Sequence, residues 1–150
     1  MNKLFFIGLF FLLINGCSYE PIFLKKKVDF KFNSIDTEGD DKINTIIKNN
    51  LLIRANGKEV YDVYISTKKD KDSISLNEKG DTKSFNIKIN VDYRILKNEN
   101  LIFKNKIIKQ TTYNNITDKF ELSKIEENIL KSLSNTISNE IIMSITMLDQ

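Results

Sequence analysis

The residue with the most definite chemistry is the single cysteine. Cys17 directly follows Ile14-Asn15-Gly16, with a branched apolar residue at −3 and a small residue at −1. A thiol in that setting is a lipid acceptor, and the small Gly16 leaves the Gly16–Cys17 bond open to a peptidase. The expected modification is a covalent diacylglycerol on the Cys17 sulfur and an N-acyl chain, such as palmitate, on the new N-terminus. One cysteine cannot close an internal disulfide, so its position has to explain its presence.

Other groups capable of chemistry are sparse. The chain has no His, which removes the commonest general base and metal ligand. The five glycines lie at positions 8, 16, 39, 57 and 80, so no phosphate-cradling loop is present. Two carboxylate pairs stand out, Asp40-Asp41 and Glu126-Glu127. The first falls at an expected helix start and the second in the early turns of another helix. Negative charge there favours the helix macrodipole, so both are read as capping and solvated groups rather than as an acid/base pair. The expectation is a non-enzymatic protein with no metal site.

A set of cations remains. Lys88 and Arg94 fall on one expected strand, and Lys104, Lys106 and Lys109 on the next. Two readings stay open for them: a basic face that meets an anionic lipid or an acidic partner, and ordinary surface charge in a lysine-rich chain. Lys88, Arg94, Lys104 and Lys106 are the candidate contact residues. The net charge of +3 in 150 residues gives no indication of nucleic-acid binding.

The elements that place these groups begin with the first 16 residues. Met1-Asn2-Lys3 is a short positive start, and Leu4 to Ile14 is an apolar run interrupted only by Gly8. As a helix that run rises about 16 Å, roughly half of a ~30 Å hydrocarbon core, so it is too short to span. It fits the apolar segment of a signal peptide over residues 1–16. Residues 17–27 read as a lipidated tether, with Pro21 opposing helix and Lys25-Lys26-Lys27 ahead of the domain. The lysines either touch lipid headgroups or simply keep the linker solvated. Ser18 occupies the position where enterobacterial lipoproteins retained in the inner membrane carry Asp. By resemblance to that rule it points to the outer membrane, on its periplasmic face.

Residues 28–150 read as one domain, of a size that supports a single core. Val28, Phe30 and Phe32 alternate with polar residues as a half-buried strand. Residues 36–41 read as a turn, followed by a helix carrying Ile43, Ile46, Ile47 and Leu51 and ended by Asn56-Gly57. Tyr61, Val63 and Ile65 mark a second strand. Residues 66–83 read either as a long exposed loop or as a strand extension leaving the sheet. The clearest strand runs from Phe85 to Ile95, apolar at every odd position and polar at every even one. Residues 97–100 form a hairpin turn into a fourth strand through Tyr113. A last helix opens at Thr117 or Asp118, or at the Ser123/Glu126 capping box, with Leu122, Ile125, Ile129, Leu133, Ile137, Ile141, Ile145 and Leu148 along one face. The order β-α-β-β-β-α predicts an α+β two-layer sandwich: a four-stranded sheet, two helices on one face, and a wet opposite face.

The start Cys17-Ser18-Tyr19-Glu20-Pro21-Ile22-Phe23 places Pro four residues after Cys and an aromatic two residues later. Together with Asn90-Val91-Asp92-Tyr93-Arg94-Ile95, Thr112-Tyr113-Asn114 and Glu126-Glu127, it resembles the LPS-assembly lipoprotein family LptE in its alphaproteobacterial form. The likeness runs the length of the chain after Gly16, with Ser18 where that family has Gly. It implies a protein that plugs the outer-membrane β-barrel LptD, helps it assemble and helps pass lipopolysaccharide to the surface. No family motif for lipopolysaccharide contact aligns with this chain. The alternative is a periplasmic auxiliary lipoprotein of a lipid-transport ABC system, which calls for an acyl-sized apolar groove between helices and sheet.

Overall fold

A computed structural model describes residues 29–148. The signal peptide, Gly16, Cys17, the tether and Val28 lie outside the described residues. The elements are β1 (Phe30–Gly39), α1 (Asp41–Arg54), β2 (Glu59–Leu76), β3 (Thr82–Lys97), β4 (Asn100–Asn114) and α2 (Lys119–Leu148). The strands form one four-stranded sheet in the order β1-β2-β3-β4. β1 runs parallel to β2, and the other neighbours are antiparallel. Both helices pack on one face, which gives the expected α+β sandwich.

Alternation decides which face is covered. Ile87, Ile89, Val91, Tyr93 and Ile95 of β3 are all buried, together with Tyr61, Val63 and Ile65 of β2. They meet Ile43, Ile47 and Leu51 of α1 and Leu130, Ile137, Ile141 and Ile145 of α2 in one core. Each fully buried aliphatic side chain contributes about 1.5–3 kcal/mol relative to exposure. A bulge between Phe32 and Ser34 shifts the register of β1, so that Ile35 is the next buried residue after Phe30.

The two helices run parallel. Lys42 pairs with Glu127 at 2.9 Å, Asn50 donates to Asn135 at 2.7 Å, and Arg54 donates to Asn139. Asn50 and Arg54 each meet a partner 85 positions later in sequence. The buried stripe of α2 differs from the expected one. Ile125, Ile129 and Leu133 are only half-buried, whereas Leu130, Ser134 and Ser138 are buried. The two serines occupy the contact with α1, where small side chains let the helix backbones approach. Ser138 donates to the Ser134 carbonyl at 2.8 Å and so satisfies itself within the helix.

Two further sequence expectations differ from the structure. Residues 36–39 are strand, not turn, because they pair with Tyr64 to Thr67 and their acidic side chains face water. The whole connection to α1 is then Asp40, whose carboxylate caps the helix by accepting from Ile43 N–H at 3.1 Å. Gly39 makes this sharp exit feasible: its φ is +105°, and a Cβ there would lie 1.9 Å from the Thr67 carbonyl oxygen.

Residues 66–76 are neither a loop nor a strand leaving the sheet, since β2 stays paired with β3 to Leu76. Its charges are tolerated because they are sorted by face. Lys68, Asp70 and Asp72 point to solvent. Lys69 and Lys71, on the helix side, are neutralised by Asp40 at 2.9 Å and Glu126 at 2.7 Å.

The last helix starts after Asp118, whose carboxylate accepts from Phe120 and Glu121 N–H at 2.9 and 3.1 Å. Ser123 is therefore inside the helix and caps nothing. The hairpin at 97–100 is as expected. Asn98 and Glu99 both take positive φ, 50° and 65°, the backbone that a two-residue turn between twisted strands requires.

Candidate functional site

The outer sheet face is covered by neither helix, and its side chains stand in rows across the strands. Asp36 is opposite Tyr64, Tyr64 opposite Arg94, and Arg94 opposite Lys104. The next row is Glu38, Ser66, Asp92 and Lys106. These two rows floor a shallow open groove of about 630 Å³.

The rows are electrically asymmetric. The β1 side carries Asp36 and Glu38, and the β3–β4 side carries Arg94, Lys104 and Lys106. Two strand spacings, about 10 Å of backbone, separate Asp36 from Arg94, and no ion pair joins the two. Tyr64 fills the middle, 40% exposed, with the Arg94 guanidinium over its ring at 5.4 Å from the centroid. Lys106 reaches Asp92 at 3.7 Å. Neither Arg94 nor Lys104 has an acidic partner among the described residues. A groove with an anionic wall, an aromatic floor and a cationic wall suits a ligand or protein surface presenting both signs of charge.

Below this groove, the β1 bulge holds another carboxylate in place. Asn33 Nδ2 and Ser34 Oγ both donate to Asp62 Oδ1 at 2.9 Å. These hydrogen bonds keep the Asp62 carboxyl below the ordinary range.

The candidate residues divide clearly. Arg94, Lys104 and Lys106 come together in the groove. Lys88 shares the face but lies six positions from Arg94 along β3, about 20 Å away, and lines no part of the groove. Lys109, counted with the basic set, is on the opposite face and pairs with Glu140 of α2. Cys17 and Gly16 lie outside the described residues. Asp36, Glu38 and Tyr64 were not singled out from sequence. The signal for the two acids is a second alternation, Ile35 and Thr37 against Asp36 and Glu38, which the bulge offsets by one residue from Phe30 and Phe32, in the stretch read as a turn.

The carboxylate pairs have structural partners. Asp40 caps α1 and meets Lys69. Burial would raise its pKa, but Lys69 and the Ile43 and Lys42 N–H groups outweigh that and lower it. Glu126 accepts from Lys71 Nζ and Tyr113 OH, both at 2.7 Å. Burial again opposes ionisation, and those two donors overcome it. The Tyr113 phenol is pushed far above its ordinary range by burial and by that same carboxylate. Lys71 also lies over the Phe85 ring, 4.3 Å from its centroid. This knot ties β2, β3 and β4 to α2. Glu127 is the Lys42 partner already described. No group of three or more potential metal ligands is gathered among the described residues. No helix among them is long and apolar enough to cross a membrane.

No family model and no curated protein sequence matches the chain. Solved structures share its fold. Lipoprotein B from Nitrosomonas europaea superposes with a TM-score of 0.64 at 18% identity, over 83% of this chain and 87% of that one. Rare lipoprotein B from Shewanella oneidensis gives 0.58 at 13% identity, over 78% and 96%. A minor lipoprotein from Acinetobacter baumannii gives 0.56 at 16% identity, over 78% and 94%. The sandwich described here is thus a fold found in bacterial lipoproteins.

Proposed function

We propose that this chain is an envelope lipoprotein, anchored through Cys17, whose domain plugs and helps assemble an outer-membrane β-barrel of the LptD type and assists lipopolysaccharide transport. It acts by binding, not by catalysis. The observation that carries the reading is the uncovered, charge-sorted sheet face on a fold shared with bacterial lipoproteins. A plug must offer polar, rigid surface to a polar lumen wall, and the two cross-strand rows do that without exposing a broad apolar face. Arg94, Lys104 and Lys106 supply the donors for anionic groups, either phosphates of lipid A or carboxylates on the barrel wall. Arg94 is the member able to bind bidentately.

The ABC-auxiliary reading asks for an acyl-sized groove between helices and sheet. That space is filled by Ile43, Ile47, Ile89, Ile137 and Ile141, all fully buried. The packing favours the plug.

The test is co-purification. Tagged full-length protein extracted from membranes in mild detergent should bring down a large heat-modifiable β-barrel. Recovery as a lone monomer, or with an inner-membrane permease, overturns the proposal.

A further inference from the structure

We infer that, while it is not seated in a barrel, the domain rests on the lipid bilayer with the end where the chain enters, the long axis of the sheet pointing away from the membrane. The topology gathers six element ends there. The start of β1 pairs with the start of β2 at Phe30 and Glu59, and Glu59 is bonded to Lys97 at the end of β3. β4 begins at Asn100, opposite Lys97. The exit from α1 returns to the same place, since Gly57 N–H donates to the Phe30 carbonyl at 2.8 Å. α2 ends there too, with Ser144 bonded to Tyr93 near the end of β3 at 2.7 Å.

Large apolar side chains are exposed at this end: Ile53 is 79% exposed, Leu101 53% and Met147 52%, with Leu52, Ile102 and Leu148 nearby in sequence and also exposed. They come from α1, β4 and α2 together, and none is needed to seal the core. Arg54 and Lys58 flank them, but Asp29, Glu59 and Glu99 lie at the same end, so the apolar side chains rather than net charge make this end suited to a lipid surface.

The opposite end also shows apolar residues, Leu76 and Phe120, but chain length separates the two cases. Residues 17–28 span at most about 40 Å fully extended. β3 alone runs about 53 Å at ~3.3 Å per residue. With Cys17 in the bilayer, the entry end reaches the lipid and the far end of an upright domain does not. This inference rests on the anchoring part of the proposed function, not on the identity of the barrel.

The absence of Trp makes the test direct, because any introduced Trp reports alone. Ile53→Trp and Leu101→Trp mark the entry end, and Leu76→Trp and Phe120→Trp the far end. Full-length lipidated protein is reconstituted into phosphatidylethanolamine/phosphatidylglycerol vesicles with and without brominated acyl chains. Bromine should cut emission about twofold at 53 and 101 and leave 76 and 120 unchanged, since an interfacial apolar side chain sits at the headgroup–acyl boundary. Two entry-end positions guard against one failing to fold. No quenching at 53 and 101, or equal quenching at both ends, overturns the inference. Intact mass reads the anchoring separately. If Cys17 carries no acyl chain, anchoring fails. The same vesicles then decide the orientation with the unacylated protein: quenching confined to 53 and 101 sustains it, and none refutes it.

Discussion

The guanidinium of Arg94 lies over the ring of Tyr64, 5.4 Å from its centroid, at the middle of a face that no helix covers. An exposed pair of this kind contributes only about 0.5–1 kcal/mol. Arg94→Ala should therefore lower unfolding free energy by no more than about 1 kcal/mol, and Tyr64→Ala by about 1–2 kcal/mol, because it also strips a part-buried ring from an inner strand. Both should nonetheless weaken capture of the barrel partner. Urea titration and quantitative pull-down on the same variants check the two halves. A large stability loss with unchanged capture would make the pair structural instead.

Gly39→Ala should be far more damaging than any change on that face. It combines a positive φ with a Cβ 1.9 Å from the Thr67 carbonyl. Relieving the clash must move β1 off β2 or break the Asp40 cap, costing about 3 kcal/mol or more. Chemical denaturation of the purified variant measures this directly.

Stability should fall in acid through Glu126 and Asp40. Both carboxyl groups have folded pKa values below their unfolded ones. Their contribution is therefore present above the unfolded carboxylate range, near pH 4, and is lost as pH drops through the lowered folded values. Glu126→Gln should flatten the acid limb of an unfolding-midpoint-versus-pH curve. Tyr113 has the opposite sense. Its raised pKa stabilises the fold below about pH 10, and that contribution is lost on further titration upward. With no His in the chain, the curve should be nearly flat between about pH 5 and 8.

Ser134→Ala should stabilise the protein. The Ser134 hydroxyl is fully buried between the helices with no hydrogen-bond partner among the described residues. Removing an unsatisfied polar atom while keeping the small volume should add about 1 kcal/mol. Ser134→Leu should do the reverse, since α1 leaves no room for it. Thermal melts of both variants give the sign.

The elements whose patterning is local could be read from the chain. Phe85 to Ile95 alternates without a break, and α1 carries its own cap and its own Asn-Gly stop. What could not be read depends on partners far away in sequence. Lys69 and Lys71 look like loop residues until Asp40 and Glu126 are placed against them. Asp36 and Glu38 look like a turn until β2 supplies their hydrogen bonds. Ser134 and Ser138 look solvent-facing until α1 packs parallel to α2. The groove was half legible for the same reason. Its cations share one hairpin, whereas Tyr64 joins them through the antiparallel β2–β3 pairing and Asp36 only through the parallel β1–β2 pairing.

The central claim is that the uncovered sheet face is the surface this domain offers to an outer-membrane barrel. Photocrosslinking from Arg94 and Asn90 in living cells tests it, with Lys131 on the exposed side of α2 as the control position. The account predicts a crosslinked band from 90 and 94 that contains the LptD-type barrel, and none from 131. Crosslinks to an inner-membrane component, or equal barrel capture from 131, would contradict it.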